Sequence, residues 1–181
     1  TKEAGQLVFF LHGYGGSASD VAWVAEDLRK RKLAESTTIV TIDGAYALGT
    51  ARCWGDEPAE YEDSIERVSA FIRKHAAGRP REKVFVAGFS QGAQIAIRVA
   101  TRTPEVGGAI LLGGCRLETL PASQPVRMLF VHGRQDRICD FAQAENVARA
   151  AEAQGHRVEF VPFVGDHVIY KEYVNVGVAV D

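Results

Sequence analysis

Two segments of opposite character are separated by only five residues, Gly88-Phe89-Ser90-Gln91-Gly92. On one side Lys83-Val84-Phe85-Val86-Ala87 is β-branched and aromatic, the pattern of a buried strand. On the other, Ala93, Ala96, Ile97 and Ala100 recur at i, i+3, i+4 and i+7, the apolar stripe of a packed helix. A strand entering Gly-x-Ser-x-Gly and a helix leaving it form a nucleophile elbow. The turn strains the serine backbone and exposes its hydroxyl at the helix N-terminus. Glycine is needed two residues before and after, because a Cβ there would meet the neighbouring strand or helix. Serine is also a favoured N-cap, so a glycine-rich turn around a capping serine is the rival reading. The flanking strand and helix decide for the elbow.

The rest of the chain alternates in the same way. Gln6 to Leu11 reads as a strand, and Val21, Val24, Ala25 and Leu28 mark a helix capped by Ser17 or Ser19. Thr38 to Ile42 is a strand, followed by a helix with Tyr61, Ile65, Val68 and Ile72 on one face. After the elbow come strands Gly108 to Leu112 and Arg127 to Val131. A helix with Ala144, Val147, Ala148 and Ala151 on one face ends at Gly155. Arg157 to Pro162 is the last strand, and a weaker helical stretch begins near Val168. Strands alternating with helices imply βαβ units and a mostly parallel sheet of about six strands, covered on both faces. The length of 181 residues suits a single domain over 1–181, with no room for a lid between the strands at 108–112 and 127–131. The longest irregular stretch, Asp43 to Glu60, contains Tyr46, Cys53 and Trp54. Such a loop is either functional or a surface loop pinned by its own tryptophan.

Charge excludes some functions. With 21 Lys and Arg against 23 Asp and Glu, there is no basic footprint for nucleic acid or an anionic membrane. The run Arg29-Lys30-Arg31-Lys32 closes a helix, where cations are favoured. Three cysteines, Cys53, Cys115 and Cys139, are an odd number without metal-ligand spacing. They imply reduced thiols and a cytoplasmic setting rather than a disulfide framework. No apolar run reaches membrane-spanning length and no signal peptide is evident.

A serine hydroxyl needs a base to take its proton, and the base needs an orienting acid. In a parallel sheet these groups must meet at the carboxyl ends of the strands. Behind an elbow they follow the serine, acid first and histidine second. Of the five histidines, His167 alone follows the last strand at the correct end. His12 and His132 sit in His-Gly turns, His75 lies on a helix, and His156 precedes the last strand. For the acid, Asp136 lies just beyond strand 127–131, whereas Asp140 caps or enters the next helix and Asp166 is too close to His167 in the chain. The oxyanion hole needs two main-chain N–H groups: Gln91, after the serine, and Tyr14 in Leu11-His12-Gly13-Tyr14-Gly15-Gly16. That glycine-rich turn matches neither a dinucleotide fingerprint nor a P-loop. Cys115 follows strand 108–112 but has no elbow or helix start, and reads as a packed thiol.

With Leu-His-Gly-Tyr-Gly, Gly-Phe-Ser-Gln-Gly, His-Gly-Arg-Gln-Asp and Gly-Asp-His in this order, the chain resembles a small α/β-hydrolase. It is most similar to the phospholipase/carboxylesterase group that includes acyl-protein thioesterases, and Phe-Ser-Gln-Gly is typical of that group. The resemblance implies a three-layer α/β fold, here with a minimal sheet because the group's usual amino-terminal strands are missing. It implies hydrolysis of a carboxylic ester or thioester, on a small molecule or an acylated protein, with no metal or cofactor. In the segment 43–60 only Trp54 matches the group's substrate loop, and it is the implied substrate contact. The alternative from another class is a hydrolase-fold binding module with a vestigial triad. None of the three triad positions is degraded.

Overall fold

The structure is a computed structural model that describes residues 5–30, 36–118 and 124–169. In chain order the elements are β1 (Gln6–Leu11), α1 (Ala18–Lys30), β2 (Thr37–Ile42), β3 (Tyr46–Leu48), β4 (Ala51–Cys53) and α2 (Pro58–His75). They continue with β5 (Val84–Phe89), α3 (Gln91–Arg102), β6 (Gly108–Leu112), β7 (Arg127–Gly133), α4 (Phe141–Ala153) and β8 (Arg157–Phe163). Six strands form one sheet in the order β2-β1-β5-β6-β7-β8, and every neighbouring pair is parallel.

Alternate side chains of each strand serve opposite cores. Leu7, Phe9 and Leu11 of β1 pack with Ile65, Val68 and Ile72 of α2, Ala93 and Ile97 of α3, and Ala148 of α4. Val8 and Phe10 point the other way, into Val21, Val24 and Leu28 of α1. Because both faces are covered, these strands read as unbroken apolar runs. Fully burying one such side chain stabilises by about 1.5–3 kcal/mol, so the sheet is a rigid platform for the loops at its rim. Helix α2 begins where the sequence tells it to: Pro58 opens it, and Glu57 and Glu60 form a reciprocal capping box. Its last turn carries Arg73, Lys74 and His75 beside the negative end of the helix dipole.

Strand and helix positions follow the alternation, and two expectations are corrected while a third lies outside the described residues. The segment 43–60 is not wholly irregular, since β3 and β4 pair as an antiparallel hairpin turning at Gly49, which has φ +62°. Each strand is three residues long, too short to leave a period in the sequence. The helical stretch expected from about Val168 falls almost wholly at 170–181, outside the described residues. Cys115 and Cys139 are not free thiols: they form a disulfide, with Cα atoms 4.7 Å apart, and Cys53 alone remains a buried free thiol. Strands β6 and β7 are neighbours, so the loops leaving them meet although 24 residues separate the two cysteines. The cysteine count therefore carries no argument for a reducing compartment. Among the described residues no helix is long and apolar enough to cross a membrane.

Candidate active site

The sheet order places β1 and β5 side by side, while their continuations run to opposite edges. This is a topological switch point, where the loops at the carboxyl ends diverge and leave a crevice. Leu11 is in register with Gly88, so the turn after β1 and the elbow after β5 rise from the same level. Ser90 has φ 55° and ψ −117°, a strained conformation for a residue with a Cβ. It is held by the sheet on one side, where its N–H donates to the Leu112 carbonyl at 2.9 Å, and by α3 on the other. The two glycines have separate causes. A Cβ on Gly88 would overlap the main chain of Gly92 and Ala93 at the start of α3, and one on Gly92 would overlap the carbonyls of Leu11 and His12. The motif is thus a close approach of α3, β5 and the loop after β1.

Asp136 and His167 come from the loops after β7 and β8, adjacent strands whose ends are stitched by Arg134 N–H to the Phe163 carbonyl (2.8 Å) and Gln135 N–H to the Gly165 carbonyl (3.0 Å). His167 Nδ1 lies 2.7 Å from Asp136 Oδ2, and its Nε2 lies 2.9 Å from Ser90 Oγ. A carboxylate only accepts, so Nδ1 donates and Nε2 is left to accept the Ser90 proton. The Asp136 side chain is fully shielded from solvent. Burial alone would push its carboxyl up. Hydrogen bonds from Cys139 N–H, His167 and Ile138 N–H outweigh burial and hold it below the usual carboxylate range. Asp136 therefore stays ionised. Asp140 caps α4, accepting from Ala142 N–H at 2.9 Å, and Asp166 accepts from the His167 main chain at 2.8 Å. Neither competes for the imidazole.

Sequence reasoning passed over two further histidines that brace this site. His132 is buried beneath Asp136, with Nε2 2.8 Å from the Cys139 carbonyl and 3.3 Å from Asp136 Oδ2. His12, with no solvent exposure, donates from Nδ1 to the Gly13 carbonyl (2.7 Å) and accepts at Nε2 from Gly44 N–H (2.9 Å). Burial lowers its basicity, in keeping with the neutral ring those bonds require. The His-Gly turns that contain them were the only hint. A Cβ on Gly13 would touch Phe89 and Ser90, and Tyr14 and Gln91 line the cleft onto which Ser90 opens. As the first residues of α3, Gln91 and Gly92 have main-chain N–H groups with no partner inside the helix.

Trp54, expected as a substrate contact, is buried rather than open to the cleft. The residue is 1% exposed, its Nε1–H donates to the His12 carbonyl at 2.8 Å, and Ser64 Oγ–H donates to the Trp54 carbonyl at 2.7 Å. It is a pillar beneath the oxyanion loop. Its main-chain N–H donates to Gln91 Oε1 at 3.0 Å, while Gln91 Nε2 donates to the Gly55 carbonyl at 2.7 Å. The elbow glutamine thus latches the loop after β4 to the start of α3.

Ser90 opens into a cleft of about 610 Å³ whose walls include Tyr61, Gln94, Arg116 and Gln143. A second hollow of about 440 Å³ is lined by His167 together with Trp23, Phe89, Val168 and Ile169. Both hollows have mixed linings in which apolar surface slightly exceeds polar.

Comparison with known proteins gives the chain's family and fold. The sequence profile of the phospholipase/carboxylesterase family matches residues 1–176. Acyl-protein thioesterase 1 homolog 1 of Dictyostelium discoideum is 26% identical over 184 residues, covering 87% of this chain and 80% of that protein. The crystal structure of esterase PE8 superposes with a TM-score of 0.85 at 22% identity, over 98% of this chain and 91% of the other. Arabidopsis thaliana SOBER1 gives a TM-score of 0.84 at 19% identity, over 96% of each chain. At such identities the superpositions speak for the fold.

Proposed function

The chain belongs to the phospholipase/carboxylesterase family and has the α/β-hydrolase fold, and from that premise we propose that it hydrolyses carboxylic esters or thioesters through an acyl-enzyme on Ser90. Residues 1–181 act as one hydrolase domain. The observation that carries this reading is the continuous chain from Asp136 Oδ2 through His167 to Ser90 Oγ, with links of 2.7 and 2.9 Å.

Ser90 Oγ attacks the carbonyl carbon as His167 Nε2 takes its proton. Asp136 holds the imidazole in the tautomer that can accept and stabilises the imidazolium that forms. The main-chain N–H groups of Gln91 and Tyr14 receive the carbonyl oxygen as it becomes an oxyanion, and removing one such donor typically costs about 100- to 1,000-fold in turnover. The imidazolium then protonates the departing alcohol or thiol. Water, deprotonated by the same imidazole, attacks the acyl-enzyme and restores Ser90.

The name of the Dictyostelium relative brings thioesters of acylated proteins into scope. The two hollows, each with mixed polar and apolar walls, offer room for the acyl group and the leaving group. The test is turnover of p-nitrophenyl esters and acyl thioesters of increasing chain length by the parent and Ser90→Ala. The variant should lose on the order of 10⁴-fold or more in kcat. Parent-like turnover by Ser90→Ala would overturn the proposal.

A further inference from the structure

The disulfide lies over the catalytic groups. Cys139 Sγ is 3.9 Å from His167 Nε2, and Cys115 Sγ is 3.9 Å from Ser90 Oγ. The three donor atoms Cys115 Sγ, Cys139 Sγ and His167 Nε2 all fall within 4.8 Å of one another. Two thiolates and an imidazole are the ligand set of a thiophilic divalent cation, with zinc the commonest. We propose that the Cys115–Cys139 disulfide masks a soft-metal site, which reduction unmasks and whose occupation removes the catalytic base.

The geometry is close to what a tetrahedral ion needs. With Zn–S near 2.3 Å and Zn–N near 2.0–2.1 Å, the S···N edge of the tetrahedron is about 3.6 Å and the S···S edge about 3.8 Å. The Cys139 Sγ to His167 Nε2 separation is already 3.9 Å. Cys139 cannot drift far when the disulfide opens, because its N–H is held by Asp136 Oδ1 (2.8 Å) and its carbonyl by His132 (2.8 Å). Cys115 has the freedom to make the remaining adjustment. It follows Gly113, with φ 51°, and Gly114, and is itself only half buried. Such an ion takes the place on the Nε2 lone pair now held by the Ser90 hydroxyl, 2.9 Å away, so the serine side chain must turn aside. Asp136 stays on Nδ1, fixing the ring as carboxylates do behind metal-bound histidines.

The chemistry balances as follows. Two molecules of a small thiol reductant give up two electrons and two protons and become a disulfide, while Cys115 and Cys139 become two thiols. A divalent cation then displaces both thiol protons and takes the Nε2 lone pair of His167. With that lone pair in a metal bond, Ser90 has no base. In the oxidised form both sulfurs are bonded to each other, and no metal site exists.

Metal binding itself does not depend on the hydrolase reading; only the loss of turnover does. The experiment therefore reads binding first. Reduced, desalted protein and oxidised protein are titrated with Zn²⁺ in competition with a chromogenic chelator, and with Co²⁺ to look for a thiolate-to-metal charge-transfer band. The reduced form should bind one ion on the order of 100-fold more tightly than the oxidised form and show that band. The Cys115→Ser/Cys139→Ser double variant should bind weakly whether or not reductant is present. Ester turnover of the reduced parent should fall in step with Zn²⁺ occupancy and return on adding EDTA. Equal Zn²⁺ affinity in the two redox forms, or no charge-transfer band in the reduced one, overturns the proposal. Tight binding with the band but unchanged turnover keeps the site and instead contradicts the role of His167 as base.

Discussion

Replacing Gln91 by leucine should detach the oxyanion side of the site from its support. The glutamine side chain is nearly the same size as leucine but makes two buried hydrogen bonds, accepting from Trp54 N–H and donating to the Gly55 carbonyl. Leucine leaves both main-chain groups buried without these partners. Each costs about 1–3 kcal/mol, so the pair costs about 2–6 kcal/mol, with only a small offset from the added apolar contact. The contact of Nε2 with Tyr61 Oη, at 3.4 Å, is too long to change that sum. The chain has two tryptophans, and the buried Trp54 sits on the latch itself, so urea unfolding followed by tryptophan fluorescence reads the loss directly. The main-chain N–H of residue 91 survives the substitution, so turnover should fall because the loop from Gly44 to Asp56 loosens. The midpoint should drop with no change in slope. A Gln91→Leu protein within about 0.5 kcal/mol of the parent, the range of an ordinary surface change, would refute the latch.

Asp136→Asn should cut kcat by on the order of 10⁴-fold while leaving the protein folded. Ile138 and Cys139 N–H groups claim the oxygen at Oδ1. The amide nitrogen then faces His167 and drives its proton from Nδ1 to Nε2; steady-state kinetics with p-nitrophenyl esters will show whether turnover falls. The same carboxylate governs acid stability. Its pKa is depressed in the folded state, so its contribution is fully present above the unfolded value near 4 and is lost as pH falls through the lower native value. The stability difference between parent and Asp136→Asn should therefore shrink as denaturation curves are taken from pH 6 down to about pH 3; a constant gap would contradict the assigned hydrogen bonds.

The proposed catalytic residues could be found in the sequence because they obey topology. An elbow serine, an acid after a later strand and a histidine after the last strand have one shared rim to meet on, and Ser90, Asp136 and His167 do meet there. The sheet was legible for a related reason, since doubly covered strands such as Leu7–Leu11 are apolar throughout. What stayed hidden depends on contacts between segments with no local signature. Trp54 is an aromatic in a loop, and nothing in its neighbours says that its ring points inward to the His12 carbonyl rather than outward to a ligand. His12 and His132 look like unused candidates until their partners, Gly44 N–H and the Cys139 carbonyl, are brought in from elsewhere in the chain. The cysteine pair is hidden in the same way, because spacing along the chain does not report that β6 and β7 are neighbours.

Active-site titration with a fluorophosphonate, read by intact mass and peptide mapping, puts the mechanism to its most direct trial. One covalent adduct per chain should form, on Ser90, at a rate greatly reduced in Asp136→Asn. A chain that takes up no label, or carries it on a residue other than Ser90, would contradict the account.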